Sequence, residues 1–218
     1  MQERIWPDLH ELPENTVTPA QYSYRQLARS DVERLSQLVR RWHPDVGVGI
    51  GRVFSDPQYY LQNVSLAGEA DKDTIVYVGV YDGEMICVMC LEINLVNRTL
   101  FNKFGACAPQ HRGTGATLFA GYAIDALAAK LDIAMAWGYV TTKTRGMQQM
   151  VERAGFNPVG VVKFSDIELN AEGEQRPVTE AIYAKYYKQH DNLEPIREAN
   201  LTPKLRALCQ ALDVQVLE

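Results

Sequence analysis

Apolar residues recur along this chain with two different periods, and the changes of period mark out its elements. Tyr22–Ala28 reads as a first strand. Val32, Leu35, Leu38, Val39 and Trp42 then fall three and four apart, the spacing of a helix with one buried face. Ser30, with Glu33 three residues on, has the form of a capping box. His43-Pro44 ends that helix, because the residue before a proline is pushed out of helical dihedrals. The glycine-rich stretch 46–52 follows, read either as a mobile substrate loop or as a flexible connection. Asp56-Pro57 opens a second helix with an acceptor cap and an N1 proline.

The period then becomes that of strands. Thr74–Tyr81 is almost continuously apolar, Asp82-Gly83 is a strong hairpin turn, and Glu84–Leu95 returns. After a turn at Val96-Asn97-Arg98, Thr99–Cys107 completes an antiparallel meander. A glycine loop at 108–115 leads into a helix carrying Leu118, Phe119, Tyr122, Ala123, Ala126 and Leu127. Ile133–Val140 is a strand, and Met147, Met150, Val151 and Ala154 give a short helix closed by Gly155-Phe156. Val159–Leu169 and Val178–Tyr187 are two more strands, and a helix at Pro203–Leu212 ends the chain. The pattern predicts an α/β fold, a mixed and mostly antiparallel sheet with helices on both faces. Its parts are an N-terminal arm (1–21), a main domain (22–188) and a C-terminal extension (189–218).

Composition narrows the function more than the fold. The chain has 218 residues, 46% of them hydrophobic, enough for one domain with a full core. A net charge of −5 argues against nucleic acid or an anionic membrane as partner. No stretch approaches the roughly 20 apolar residues that span a bilayer. The opening MQERIWPDLHELPEN carries acids and lacks an apolar core, so it predicts no secretory signal and a cytoplasmic location. Cys87 and Cys90 form a CxxC inside a strand, where residues three apart point to opposite faces, so they read as structural rather than as metal ligands.

The chemistry is concentrated in Gly105–Phe119. There a strand runs into a loop bearing Arg112, Gly113 and Gly115, and a helix begins among the glycines. The first amides of a helix have no internal acceptor, and its dipole makes that end positive. Glycines let an anion approach the backbone without meeting a Cβ. The loop is therefore a phosphate or pyrophosphate cradle. The absence of Lys-Ser/Thr after the glycines excludes a Walker loop, and the absence of GxGxxG argues against a dinucleotide fold.

Ala108-Pro-Gln-His-Arg-Gly-Thr-Gly-Ala116 resembles the R-G-x-G motif of the GCN5-related N-acetyltransferase (GNAT) family. Gly146–Gly160, a short helix ending in Gly155-Phe156, is similar to the second half of the same unit. The resemblance covers residues 22–188. It implies acetyl-CoA, or another short acyl-CoA, as co-substrate, with no metal. The pantetheine would run along Ala106, Cys107 and Ala108, and the pyrophosphate would lie on the amides of Arg112, Gly113, Thr114, Gly115, Ala116 and Thr117. The strands ending at Cys107 and beginning at Ile133 would splay to admit it. Thr144 stands where many relatives carry an asparagine that contacts the cofactor.

The implied activity is acyl transfer to an amine, either a small molecule or a peptide N-terminus or lysine. The tyrosine that commonly serves the family as acid is replaced by Val151. Glu92 is then the candidate base and Tyr139 the candidate acid. Asp166 and Glu168 share a strand face, either as a cation site or as a charged outer surface. His111 points to solvent or to a phosphate on this reading, and His43 is a cation at a helix C-terminus. Two other readings stay open: a CoA-binding sensor or assembly module, and an acyltransferase acting on a protein or aminoacyl-tRNA. The apolar stripe of the C-terminal helix reads as docking on its own domain, with a homodimer as the alternative.

Overall fold

The structure, a computed structural model, describes residues 5–14, 17–187 and 193–217. Eight strands form one sheet: β1 (Ser23–Gln26), β2 (Val64–Ser65), β3 (Thr74–Tyr81), β4 (Glu84–Asn94), β5 (Thr99–Cys107), β6 (Met135–Thr141), β7 (Asn157–Leu169) and β8 (Gln175–Tyr186). Their spatial order is β1-β3-β4-β5-β6-β8-β7, with β2 also on β3. Only the β2–β3 and β5–β6 pairings are parallel. The mixed α/β architecture expected from the sequence is therefore present, and the meander has the predicted bounds to within a residue.

Helix α1 (Val32–Trp42) buries Val32, Leu35, Leu38, Val39 and Trp42, the residues that its period singles out. Its start differs from the capping box expected at Ser30 and Glu33. Residues 29–31 form a 3-10 turn, and Asp31 takes the cap position. The Asp31 carboxylate accepts from the Ala28 amide and pairs with Arg25, which draws the turn one residue further along. In α2 (Pro57–Asn63) the cap is as read, with Asp56 Oδ1 accepting from Gln58 N at 2.9 Å.

Two apolar layers lie on opposite faces of the sheet. One packs α1 and α2 on Val76, Val78, Val88 and Cys90. The other packs α3 (Leu118–Lys130) on Ile75, Tyr77, Met89 and Leu91, with α4 (Arg145–Arg153) at its margin through Met147 and Val151. Cys87 and Cys90 diverge as the strand period requires. The Cys87 sulfur lies against Gly79 and the Ala116 carbonyl, whereas Cys90 lies against Tyr59 of α2. Burial pushes both thiols up to about 12, so neither is a ready nucleophile.

The N-terminal arm joins the second layer. Trp6 is 2% exposed, its indole N–H donates to Lys72 O at 2.7 Å, and its amide donates to Asp71 Oδ2 at 3.0 Å. The sequence pattern gave no element here, because a single tryptophan has no period. The chain divides into two compact units, Met1–Tyr187 and Lys188–Glu218. Within the second, α5 (Pro203–Ala211) is capped by Thr202, and Arg197 bridges to Leu217 in parallel.

Trp6→Ala removes a fully buried aromatic and should cost about 3–5 kcal/mol. Urea unfolding followed by circular dichroism would show the midpoint falling with little change in slope; an unchanged midpoint would mean that the arm is not part of the core.

Candidate active site

The sheet forks between β5 and β6. Thr99–Asn102 pair with Met135–Gly138, and beyond that point β5 pairs only with β4 and β6 only with β8. At the last pair the strands are unusually close: a Cβ on Gly138 would lie 3.0 Å from Asn102 O. The next residue of β5, Lys103, is an extra residue in the ladder, since Cys90 opposes Phe104 and Leu91 opposes Asn102. Such a bulge bends its strand. The Asn102 Oδ1 beside it is buried and has no hydrogen-bond partner among the described residues.

β5 ends in the glycine loop at the open end of the fork. Pro109–His111 make a 3-10 turn, and the Arg112 amide donates to Pro109 O at 3.3 Å. Among the described residues, the amides of Gly113, Thr114, Gly115, Ala116 and Thr117 find no backbone acceptor, whereas that of Leu118 donates to Gly115 O. Gly113 and Gly115 have φ of +76° and +89°, the left-handed region that glycine adopts without strain. The Arg112 amide, expected among the anion donors, is instead used inside the turn. Its guanidinium is committed as well, donating to Trp42 O at 2.9 Å and to Cys107 O at 3.2 Å.

Three residues outside the motif brace this loop. Tyr22 Oη donates to Thr114 Oγ1, and Tyr24 Oη donates to Ala116 O, each at 2.8 Å. Pro19 lies where a Cβ on Gly115 would meet it at 3.0 Å, so that glycine is required by packing as well as by its φ. His111 does not point freely to solvent; its ring packs against those of Tyr22 and Tyr81, with centroids 5.9 and 5.2 Å away. Thr144 is the N-cap residue of α4, and its carbonyl accepts from Gln148. Ala106, Cys107 and Ala108 are buried, and the Cys107 thiol is raised by that burial.

His43 differs from the cation expected at the end of α1. Burial first, and then the neighbouring Arg112, lower its pKa. The Arg112 guanidinium stands 3.4 Å from Nε2, a contact that only a neutral imidazole accepts, and Asp45 at 3.9 Å offsets it in part.

On the face of the sheet opposite α3, β5 and β6 present Phe101, Trp137 and Tyr139. Phe101 and Trp137 stack with centroids 4.3 Å apart, and Tyr139 stands edge-on to both. Tyr139 is the first residue past the last β5–β6 pair and is 43% exposed. Glu92 opposes Phe101 in the ladder, so it shares that face, and Lys103 Nζ holds its Oε2 at 2.7 Å. Asp166 and Glu168 are not a bare outer surface. Asp166 accepts from the amides of Ile50 and Gly51, at 2.6 and 3.2 Å, and so fixes the glycine-rich 46–52 loop on β7. Glu168 pairs with Lys143, which also lies 3.3 Å from Asp45. Val151, at the family's acid position, packs into the α3-side core. A separate cavity of about 520 Å³ lies between α1, the β3–β4 hairpin and Pro109–His111; no residue of β6 lines it, so it is distinct from the fork.

Tyr139 and the loop thus lie along the open part of the fork, Glu92 stands on β4 one residue pair short of it, and Thr144 follows the end of β6. The sequence reading missed Lys103, Lys143 and the bracing tyrosines. The alternation Trp137-Gly-Tyr139 carried a signal for the aromatic face; the bulge at Lys103 had none.

No family model matches this chain, and no curated protein matches it in sequence. Solved structures do match in fold. A point mutant of spermidine N-acetyltransferase SpeG from Vibrio cholerae superposes with a TM-score of 0.61 at 17% identity, covering 80% of this chain and 98% of that one. The dodecameric spermidine N-acetyltransferase from Vibrio cholerae in an intermediate state gives 0.60 at 17% identity, covering 80% and 98%. A probable acetyltransferase gives 0.56 at 17% identity, covering 78% and 94%. The chain has the fold of these N-acetyltransferases.

Gly113→Ala should cost about 1–2 kcal/mol from its left-handed φ alone, since nothing lies within 4 Å of the added Cβ. Gly115→Ala should cost more, because it also meets Pro19; equal losses in urea midpoint would contradict that packing. For His43, the folded pKa lies below the ordinary 6.5, so its contribution to stability is full above that pH and is lost as pH falls below it. Stability measured from pH 7 to pH 5 should decline less in His43→Gln than in the parent chain.

Proposed function

We propose that this protein transfers an acyl group, acetyl or another short acyl, from coenzyme A to an amine. The observation that carries the reading is the row of unpartnered amides from Gly113 to Thr117 at the end of a strand that has lost its neighbour. Such donors fit a pyrophosphate, and the open edge of β5 fits an extended amide-bearing chain that hydrogen-bonds as an added strand. Ala106, Cys107 and Ala108 would hold the pantetheine, the amides from Gly113 to Thr117 the pyrophosphate, and Thr144 would contribute one further polar contact. Bound there, the thioester supplies an activated acyl carbon.

The chain's own groups then have two proton transfers to perform. An alkyl ammonium has a pKa of roughly 10.4 and attacks only when neutral, so a base must take its proton. Glu92, acting through water, takes that proton. The departing thiolate needs a proton in return, and the Tyr139 hydroxyl, exposed at the fork's start, donates it. The splay, the cradle and the N-acetyltransferase fold of the neighbours support this reading together.

A second reading, a CoA-binding sensor, is favoured by one observation: Val151 occupies the usual acid position and serves the core. Calorimetric titration with acetyl-CoA, followed by a free-thiol assay across an amine panel, separates the two. Saturable binding with thiol release supports the enzyme, binding without release for any amine supports the sensor, and no binding removes both. Tyr139→Phe should lower kcat by about 100-fold or more, within the range for a general acid, while acetyl-CoA affinity changes little. A parental rate would remove Tyr139 as the acid.

A further inference from the structure

The neighbours in fold include enzymes named for spermidine, a polycation, yet the polar groups around this fork are arranged differently from what a polycation needs. A chain of ammonium groups must exchange its water for carboxylates that are free to pair with it. Here four of the acidic residues on and beside the open face of the sheet already have partners. Glu92 is held by Lys103, Glu168 and Asp45 by Lys143, and Asp166 by the amides of Ile50 and Gly51. Glu180 faces the same side, where burial and the nearby Asp166 disfavour its charge. Lys103 itself puts an ammonium at the bulge where the strands part, and it would repel a second cation.

What this face offers instead is aromatic surface. Ala136 and Val140 point into the α3-side core, so the alternate residues Trp137 and Tyr139 point the other way. Phe101 lies stacked on Trp137 at 4.3 Å, and Tyr139 closes the group edge-on. Among the described residues of the main unit, α1 and α2 pack on the β3–β5 half of this face. Such a group receives a flat ring by offset or edge-to-face contact and a single ammonium over a ring face.

We propose that the acceptor is a monoamine carried on a flat apolar body, which lies on Phe101, Trp137 and Tyr139 with its nitrogen toward the fork. This rests on the transfer reading above and names its substrate class. Intrinsic fluorescence gives a direct probe. Of the three tryptophans, Trp6 and Trp42 lie elsewhere, Trp42 at the separate cavity beside α1, so Trp137 is the one that reports on this aromatic face.

The test titrates the full chain with 2-phenylethylamine, butylamine and spermidine, following tryptophan fluorescence and calorimetric heat, with acetyl-CoA binding measured in parallel. 2-Phenylethylamine should quench saturably and bind about tenfold or more tighter than the other two, a difference of about 1.4 kcal/mol. In Trp137→Phe most of the quenching should vanish, while calorimetry still finds the amine bound, since the phenyl ring keeps the stack. Lys103→Met should raise spermidine affinity about tenfold, because it removes one cation and frees Glu92. Spermidine binding as tightly as 2-phenylethylamine to the parent chain, or 2-phenylethylamine giving no saturable quenching, would overturn the proposal. Failure of acetyl-CoA to bind while the aromatic amine still does would instead overturn the transfer reading and leave the aromatic amine site standing.

Discussion

The parallel pairing of β5 with β6 lasts four residue pairs, and the way it stops organises the site. On one side Gly138 lets the backbones approach so closely that any side chain there would strike the Asn102 carbonyl. On the other, the extra residue Lys103 bends β5 immediately after its last pair. A tight contact followed at once by a bulge makes a fork with a defined floor. The floor leaves the buried Asn102 Oδ1 without a partner, a local cost that a continuous sheet would not carry. Everything proposed about acyl transfer presupposes that opening.

Much of the fold was legible because the sequence states its periods plainly. The five buried apolar positions of α1, the Asp82-Gly83 turn and the bounds of β5 follow from spacing and turn chemistry alone. The loop was legible for a different reason: only glycine adopts the left-handed φ of 113 and 115 without strain, so its backbone announces itself. What could not be read was set by partners distant in sequence. Asp31 displaced Ser30 at the start of α1 because Arg25, six residues earlier, pairs with it. Asp166 became an anchor for residues 50 and 51 across more than 110 positions, and Glu92 met Lys103 only because β4 and β5 are adjacent. The Val151 departure was visible in the sequence; its packing into the α3-side core needed the fold.

Rigidity of the cradle comes from outside it. A loop with two glycines and a row of unpaired amides has little to hold it in one conformation, and ordering it on binding would cost affinity. Tyr22 and Tyr24 of the β1 segment reach its hydroxyl and carbonyl groups, Pro19 packs on Gly115, and Arg112 ties the preceding turn to the C-terminal carbonyl of α1. Each brace takes an acceptor or an apolar surface and leaves the five amides untouched. The neutral His43 belongs to the same arrangement, since a charged imidazole beside Arg112 would push that tie apart.

The two ends of the fork therefore treat their polar groups in opposite ways. At the loop, donors are held in place without acceptors, a state that is stable only in contact with water or with an anion, and one that selects for negative charge. On the aromatic face, Glu92, Asp166 and Glu168 are supplied with an internal cation or amides, so that face offers apolar area rather than spare charge. An unsatisfied backbone donor is cheap to maintain at a surface because water can occupy it. A set of unpaired carboxylates on one sheet face would repel one another and loosen the 46–52 loop that Asp166 holds down. The stability of the sheet margin and the selectivity of the acceptor side are on this view one constraint. Neutralising β7 against the loop and β4 against the bulge removes the features that would attract a multiply charged amine.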